Sequence, residues 1–197
     1  MTDTETVKTT TGRATPGRRV RATAEQRLGD AQRAVAEETQ RYAPAEDRPL
    51  GGYATLLGVY AACAGVMGAV LLRNRKRLPR SVGLGDIALL STATFKLARL
   101  VSRDAVMSPA RAPFTRYIGQ GEAPAEVNEE VRGSGVRKAI GELVTCPYCL
   151  GQWVATGFIA GWIVAPRATR VIAATLTVAA TSDAMQLAYT AAVKGTH

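Results

Sequence analysis

Three groups of residues have the types and spacing that chemistry needs. The first is Thr145-Cys-Pro-Tyr-Cys-Leu-Gly-Gln-Trp153, which sets Cys146 and Cys149 three positions apart. A Cys-x-x-Cys at a helix start favours a thiolate, and the second thiol can resolve a mixed disulfide within the chain. The same spacing is half a zinc site, but Zn²⁺ takes four ligands. The single His is His197, and Cys63 lies inside an apolar run where it reads as a small packing residue. A zinc site would therefore need Cys146 and Cys149 from two chains, or carboxylates. Against both stands a structural role as a helix entry: Pro147 initiates the turn, the thiols pack, and Trp153 anchors near a membrane interface.

The second group is cationic. Lys96-Leu-Ala-Arg-Leu-Val-Ser-Arg-Asp104 precedes Arg111-Ala-Pro-Phe-Thr-Arg-Tyr117. Guanidinium forks match phosphate oxygens, so Arg99, Arg103, Arg111 and Arg116 form a candidate anion or lipid-headgroup site. The alternative is a local salt-bridge network with Asp104 or Asp86 as neutralising groups. The third group centres on Asp183, a lone carboxylate in an apolar stretch. A charge at bilayer depth is costly and is either paired or functional. Lys96 and Arg99 are its candidate partners, and Asp86 and Lys96 are the other candidate intramembrane polar residues. An ion or proton path competes here with a paired packing carboxylate. Ser182 has no His to activate it, and no Gly-rich phosphate loop, His-Glu metal helix or nucleophile elbow appears.

These groups sit on elements that read as membrane helices. The 197 residues hold 25 Lys+Arg and 16 Asp+Glu, a net charge of +9. The charges are clustered. Gly51–Leu72 has none in 22 residues and Leu143–Pro166 none in 24, lengths that match the ~20 apolar residues of a membrane-spanning helix. The pattern predicts an all-α, polytopic helical membrane protein with about four transmembrane helices: 51–72, 84–101, 149–165 and 171–193. Residues 102–147 form an extramembrane segment, with a flexible turn at 119–124 and a short amphipathic helix through Val136, Ile140, Leu143 and Val144. Pro166–Arg170 reads as a tight turn joining the last two helices as an antiparallel hairpin.

Residues 1–50 form a polar basic tail, partly disordered, with a helix at 23–42 opened by a Thr23/Gln26 capping box. The apolar runs start only after it, so no secretory signal peptide is expected. Gly58, Ala61, Gly65 and Gly68 form a small-residue ridge, as do Gly157 and Gly161; such ridges let helices approach closely in lipid. They point to a homo-oligomer or to another membrane protein as partner. The basic run Arg73–Arg80 suits acidic headgroups at a membrane end. A specific nucleic-acid partner is not expected, because basic and aromatic residues are not interleaved. Positive charge is divided almost evenly between the two sides and is denser in the short loops opposite the termini. Export of the long charged tail without a signal peptide is awkward, which leans the reading toward both termini in the cytosol.

Leu89–Asp104, Arg111–Tyr117 and Glu142–Trp153 together resemble the bacterial membrane family known as domain of unknown function 1360, over roughly residues 84–193. The resemblance implies a small, helical, membrane-embedded protein of a family without an assigned activity. It also implies a His where Phe95 stands, a departure that removes any role of that His here. The expectation is thus an integral, multi-pass bacterial cell-membrane protein that scaffolds or interacts without catalysis. The alternative is thiol-redox or metal chemistry at Cys146/Cys149.

Overall fold

The computed structural model describes residues 16–46, 48–73 and 83–195. The chain divides into two units, Met1–Gly51 and Gly52–His197. In the first, helix α1 spans Pro16–Tyr42. It starts seven residues before the expected Thr23, because proline, with φ preset and no N–H to lose, suits the first helical position. Thr23 is therefore inside the helix and not at its start, and residues 16–22 are helical where a disordered tail was expected. Residues 1–15 lie outside the described residues. Exposed pairs Arg33–Asp30 and Arg41–Glu38 run along α1 at i,i+3. The turn after it brings Gly51 back under Val35, whose Cγ1 would lie 3.2 Å from a Cβ at position 51.

The second unit holds the remaining elements, apart from the first two residues of α2. Helix α2 spans Leu50–Arg73, α3 Leu84–Arg103, α4 the single turn Ser108–Arg111, α5 Gly135–Thr145, α6 Pro147–Val164 and α7 Pro166–Lys194. Pro147 and Pro166 each begin a helix, so the breaks before them shrink to Cys146 and Ala165. The expected turn at Pro166–Arg170 is instead the first turn of α7. The Arg75, Lys76, Arg77 and Arg80 run and His197 lie outside the described residues.

Helix α3 is the centre of this unit. It packs on both α6 and α7 through a core of Leu90, Ala93, Phe158, Trp162 and Ala173. Asp86 pairs with Arg170, the Thr177 hydroxyl donates to the Leu89 carbonyl, and Lys96 pairs with Asp183. Partners rise together in number, so α3 and α7 run parallel. Gly161 lets α6 meet α7: a Cβ there would stand 2.8 Å from Thr169 Oγ1. Helix α2 docks through tyrosines at i and i+7. Tyr53 donates to Glu142 of α5. Tyr60 hydrogen-bonds Thr156 and accepts from Gln152 Nε2, and its ring meets Trp153 edge-on at 5.1 Å. Trp153 is thus a helix–helix contact.

Two expectations change. Among the described residues only α2 and α7 are long and apolar enough to cross a membrane, or three spans if α5 and α6, bent by 83° at Cys146, count as one. Helix α3 falls short because Asp86, Lys96, Arg99 and Arg103 interrupt its apolar run. The unit is also not purely helical. Strands β1 (Thr115–Gln120) and β2 (Val127–Val131) form an antiparallel hairpin inside the segment read as loop. Its register pairs Tyr117 with Glu129, then slips at Ile118 so that Gly119 faces Asn128. Ala125 turns the chain with φ of 64°, and its carbonyl accepts from Ala105, tying the hairpin loop to the end of α3. Side chains at Gly58, Gly65 and Gly68 would meet nothing among the described residues, and Cys63 is exposed, not packed.

Candidate functional site

The Arg111–Arg116 string builds a buried node. Pro109 at the start of α4 sets one helical turn, which swings Arg111 inward until it is 1% exposed. Its Nε and Nη2 donate to the two oxygens of Glu129 at 2.9 and 3.0 Å. Nη1 donates to the carbonyls of Val101 (2.7 Å) and Asp104 (3.1 Å), and Nη2 also reaches the Ser108 hydroxyl at 3.3 Å. All five N–H donors are used. Glu129 in turn accepts from Ser108 at 2.8 Å and Thr115 at 2.7 Å. Burial alone would raise the Glu129 pKa. Hydrogen bonds from Arg111, Thr115 and Ser108 outweigh it, so the carboxyl sits below its ordinary range. The node locks the end of α3, α4 and both strands together. Arg132 and Arg137 add to it by holding the carbonyls of Ala112 and Pro113.

The other arginines also meet β2 or the turn before it. Arg99 pairs with Glu126 at 2.7 Å, Arg116 with Glu130 at 2.8 Å, and Arg103 Nη1 reaches Asn128 Oδ1 at 3.4 Å. The neutralising groups are therefore Glu126, Glu129 and Glu130, not Asp104 or Asp86. Asp86 serves Arg170 of α7. Asp104 is held above its ordinary pKa, chiefly by burial; Lys96 and Arg99 oppose this, and Glu126 and Asp183 add to it. Asp183 meets Lys96, its partner on α3, at 2.7 Å.

Arg99 and Arg103 do share a site. A cleft of about 660 Å³ opens between α3 and α6, with the hairpin at one end. Its polar end is lined by Arg99, Arg103, Glu122, Glu126 and Asn128. Its walls are Ile87, Leu90, Phe95, Ala98, Ala155 and Ile159, with Tyr148 and Gly151 at the α6 end near the hairpin. Tyr148 is 91% exposed and Phe95 60%. Arg111 and Arg116 do not line this cleft.

Cys146 and Cys149 are both free thiols. The Cys146 sulfur accepts the Cys149 N–H at 3.2 Å, so it caps α6 in the place a serine or aspartate oxygen usually takes. Neither thiol lines the cleft. No group of three or more His, Cys, Asp or Glu able to hold a metal ion occurs among the described residues.

The residues of the cleft and the buried node that sequence patterns do not single out are Glu122, Glu126, Asn128 and Glu129. A signal for them existed. The turn cluster at 119–124 stands between Tyr117-Ile118 and Val127–Val131, which is a hairpin pattern.

Residues 89–189 match the family described as "Protein of unknown function (DUF1360)". The chain is also 38% identical over 86 residues to "Sporulation protein YjcA" of Bacillus subtilis (strain 168), which spans 43% of this chain and 73% of that protein. No solved structure matches.

Proposed function

The chain belongs to the family of proteins of unknown function DUF1360, and from that premise we propose a multi-pass protein of the bacterial cell membrane that scaffolds or interacts without catalysis. The carrying observation is the Arg111–Glu129 node. It spends the most concentrated polar residues of the extramembrane segment on a rigid platform. Four spans, α2, α3, α6 and α7, complete the reading. Helix α3 is too polar to enter lipid alone, but Asp86, Lys96 and Arg99 each have an opposite charge as partner. Its parallel run beside α7 fits a chain that alternates sides. The proposed partners are the lipid bilayer and a second copy or another membrane protein at the open ridge of α2. A specific nucleic acid is not among them.

Site-specific crosslinking from Gly65 in native membranes tests this reading. A defined dimer or a reproducible partner is expected, and monomer alone overturns it. The Cys146/Cys149 pair gives a second reading, carried by two neighbouring free thiols at a helix start. Thiol-redox chemistry or zinc shared by two chains would follow; unreactive thiols together with sub-stoichiometric zinc by elemental analysis would eliminate both.

A further inference from the structure

We propose that the cleft between α3 and α6 is a binding site for one zwitterionic phospholipid, with a phosphate-and-ammonium head beneath the hairpin and an acyl chain along the helices. This rests on the membrane setting proposed above.

The head end carries the first argument. Its four charged groups are two guanidiniums and two carboxylates. Arg99 and Glu126 neutralise each other at 2.7 Å. Arg103 is left with one long hydrogen bond to a neutral amide, and no carboxylate partner among the described residues. Its fork is free to take phosphate oxygens. Glu122 lines the same end, is exposed, and supplies a negative charge for an ammonium. The unsatisfied pair thus has the sign pattern of a phosphoethanolamine head. A purely anionic head would leave Glu122 facing like charge.

The tail end carries the second. Below the charges the walls are apolar, and Phe95 lies largely uncovered. The volume of about 660 Å³ lies within the ~300–1,000 Å³ of small-molecule sites. The lining of α6 runs from Pro147 to Ile159, about 18 Å at 1.5 Å per residue. That is close to one leaflet, half of a hydrocarbon core ~30 Å thick. The length suits one acyl chain and is too short for a transmembrane helix of a partner.

The full chain purified in mild detergent is the material for the test. Native mass spectrometry reads adducts with phosphatidylethanolamine, phosphatidylglycerol or inorganic phosphate added alone. One-to-one phosphatidylethanolamine adducts are expected to dominate, and phosphate alone to give none. Arg103→Gln should weaken retention about tenfold, the scale of one charge-assisted hydrogen bond. Glu122→Gln should abolish the preference over phosphatidylglycerol. Gly151→Phe should plug the cleft, because a Cβ at 151 meets open space and the backbone need not move. Lipid-free melting curves check that each variant is folded. Equal adducts on wild type and the plugged variant overturn the proposal. So do equal retention of the two lipids by the wild type, or a cleft residue that crosslinks to a polypeptide instead. Release of the chain from membranes by alkaline carbonate would sink the membrane setting itself, a separate outcome from loss of lipid selectivity.

Discussion

Glu129 faces Arg111 with both of its oxygens, at 2.9 and 3.0 Å, across eighteen residues of chain and with both side chains at most 5% exposed. Breaking one partner of such a pair strands a buried charge, at a cost of about 3–5 kcal/mol. Arg111→Ala and Glu129→Ala should each lower the detergent melting temperature strongly. Arg111→Lys should not rescue, since an ammonium cannot reproduce the fork. A joint Arg111→Met/Glu129→Leu replacement should be milder than either single change. If the double variant is as unstable as the sum of the singles, the pair is not coupled as described.

The depressed pKa of Glu129 fixes a direction in pH. The folded carboxylate holds its proton less tightly than the unfolded one. Its stabilisation is complete above the ordinary carboxylate pKa and is lost as pH falls through the lowered folded value. Glu129→Gln should therefore flatten the acid limb of stability against pH, measured by thermal unfolding between neutral and acidic buffers. Asp104 acts in the opposite sense. Its raised pKa disfavours the folded state once pH climbs past the ordinary carboxylate value, so Asp104→Asn should stabilise the protein at neutral pH.

Lys96 and Asp183 join α3 to α7 at 2.7 Å. On the proposed four-span reading, Asp183→Asn leaves Lys96 as an uncompensated cation, worth roughly 2.5–3.5 kcal/mol at bilayer depth on insertion scales. Loss of folded protein on expression is the expected result. The swap Lys96→Asp with Asp183→Lys should restore it. A swap no better than the single change would reject the pairing, and an Asp183→Asn protein that folds well but loses proton flux would favour an ion path.

Two glycines should respond unequally to alanine. At Gly161 the obstacle is the Thr169 hydroxyl, which can rotate away. At Gly52 it is the Gly135 carbonyl, 2.7 Å from an added Cβ, with Ala139 Cβ at 2.8 Å. Gly52→Ala should cost about 1–3 kcal/mol, and Gly161→Ala less, with full relief from Thr169→Ala. Melting curves of the three variants decide it.

The sequence made its local features easy to read. The amphipathic stripe of α5, the break at Cys146-Pro147 and the apolar run of α2 each depend on neighbouring residues, and each is found where expected. Features that depend on distant partners were not legible. The VNEEV strand lacks a clean alternation, because Glu129 points inward to meet Arg111 and reverses the usual polar-outside rule. The same reversal hid the counterions of the arginines, since nearby Asp104 was the obvious candidate and Glu126, Glu129 and Glu130 lie across a turn. Helix α3 is legible as a helix, but its charges hold its hydropathy short of a span, and the partners that cancel them, Arg170, Asp183 and Glu126, lie farther along the chain. The cleft, made by two helices and a hairpin, had no signature in any one of them.

Those distant counterions put a clock on biogenesis. Asp86 waits 84 residues for Arg170, and Lys96 waits 87 for Asp183. At the ~5–20 residues per second of bacterial translation, this delay is on the order of ten seconds. Throughout it, a ribosome has delivered α3 with uncancelled charges. On the four-span reading proposed above, the nascent helix would linger at the lipid surface or inside the insertion machinery, and enter the bilayer only when α7 emerges.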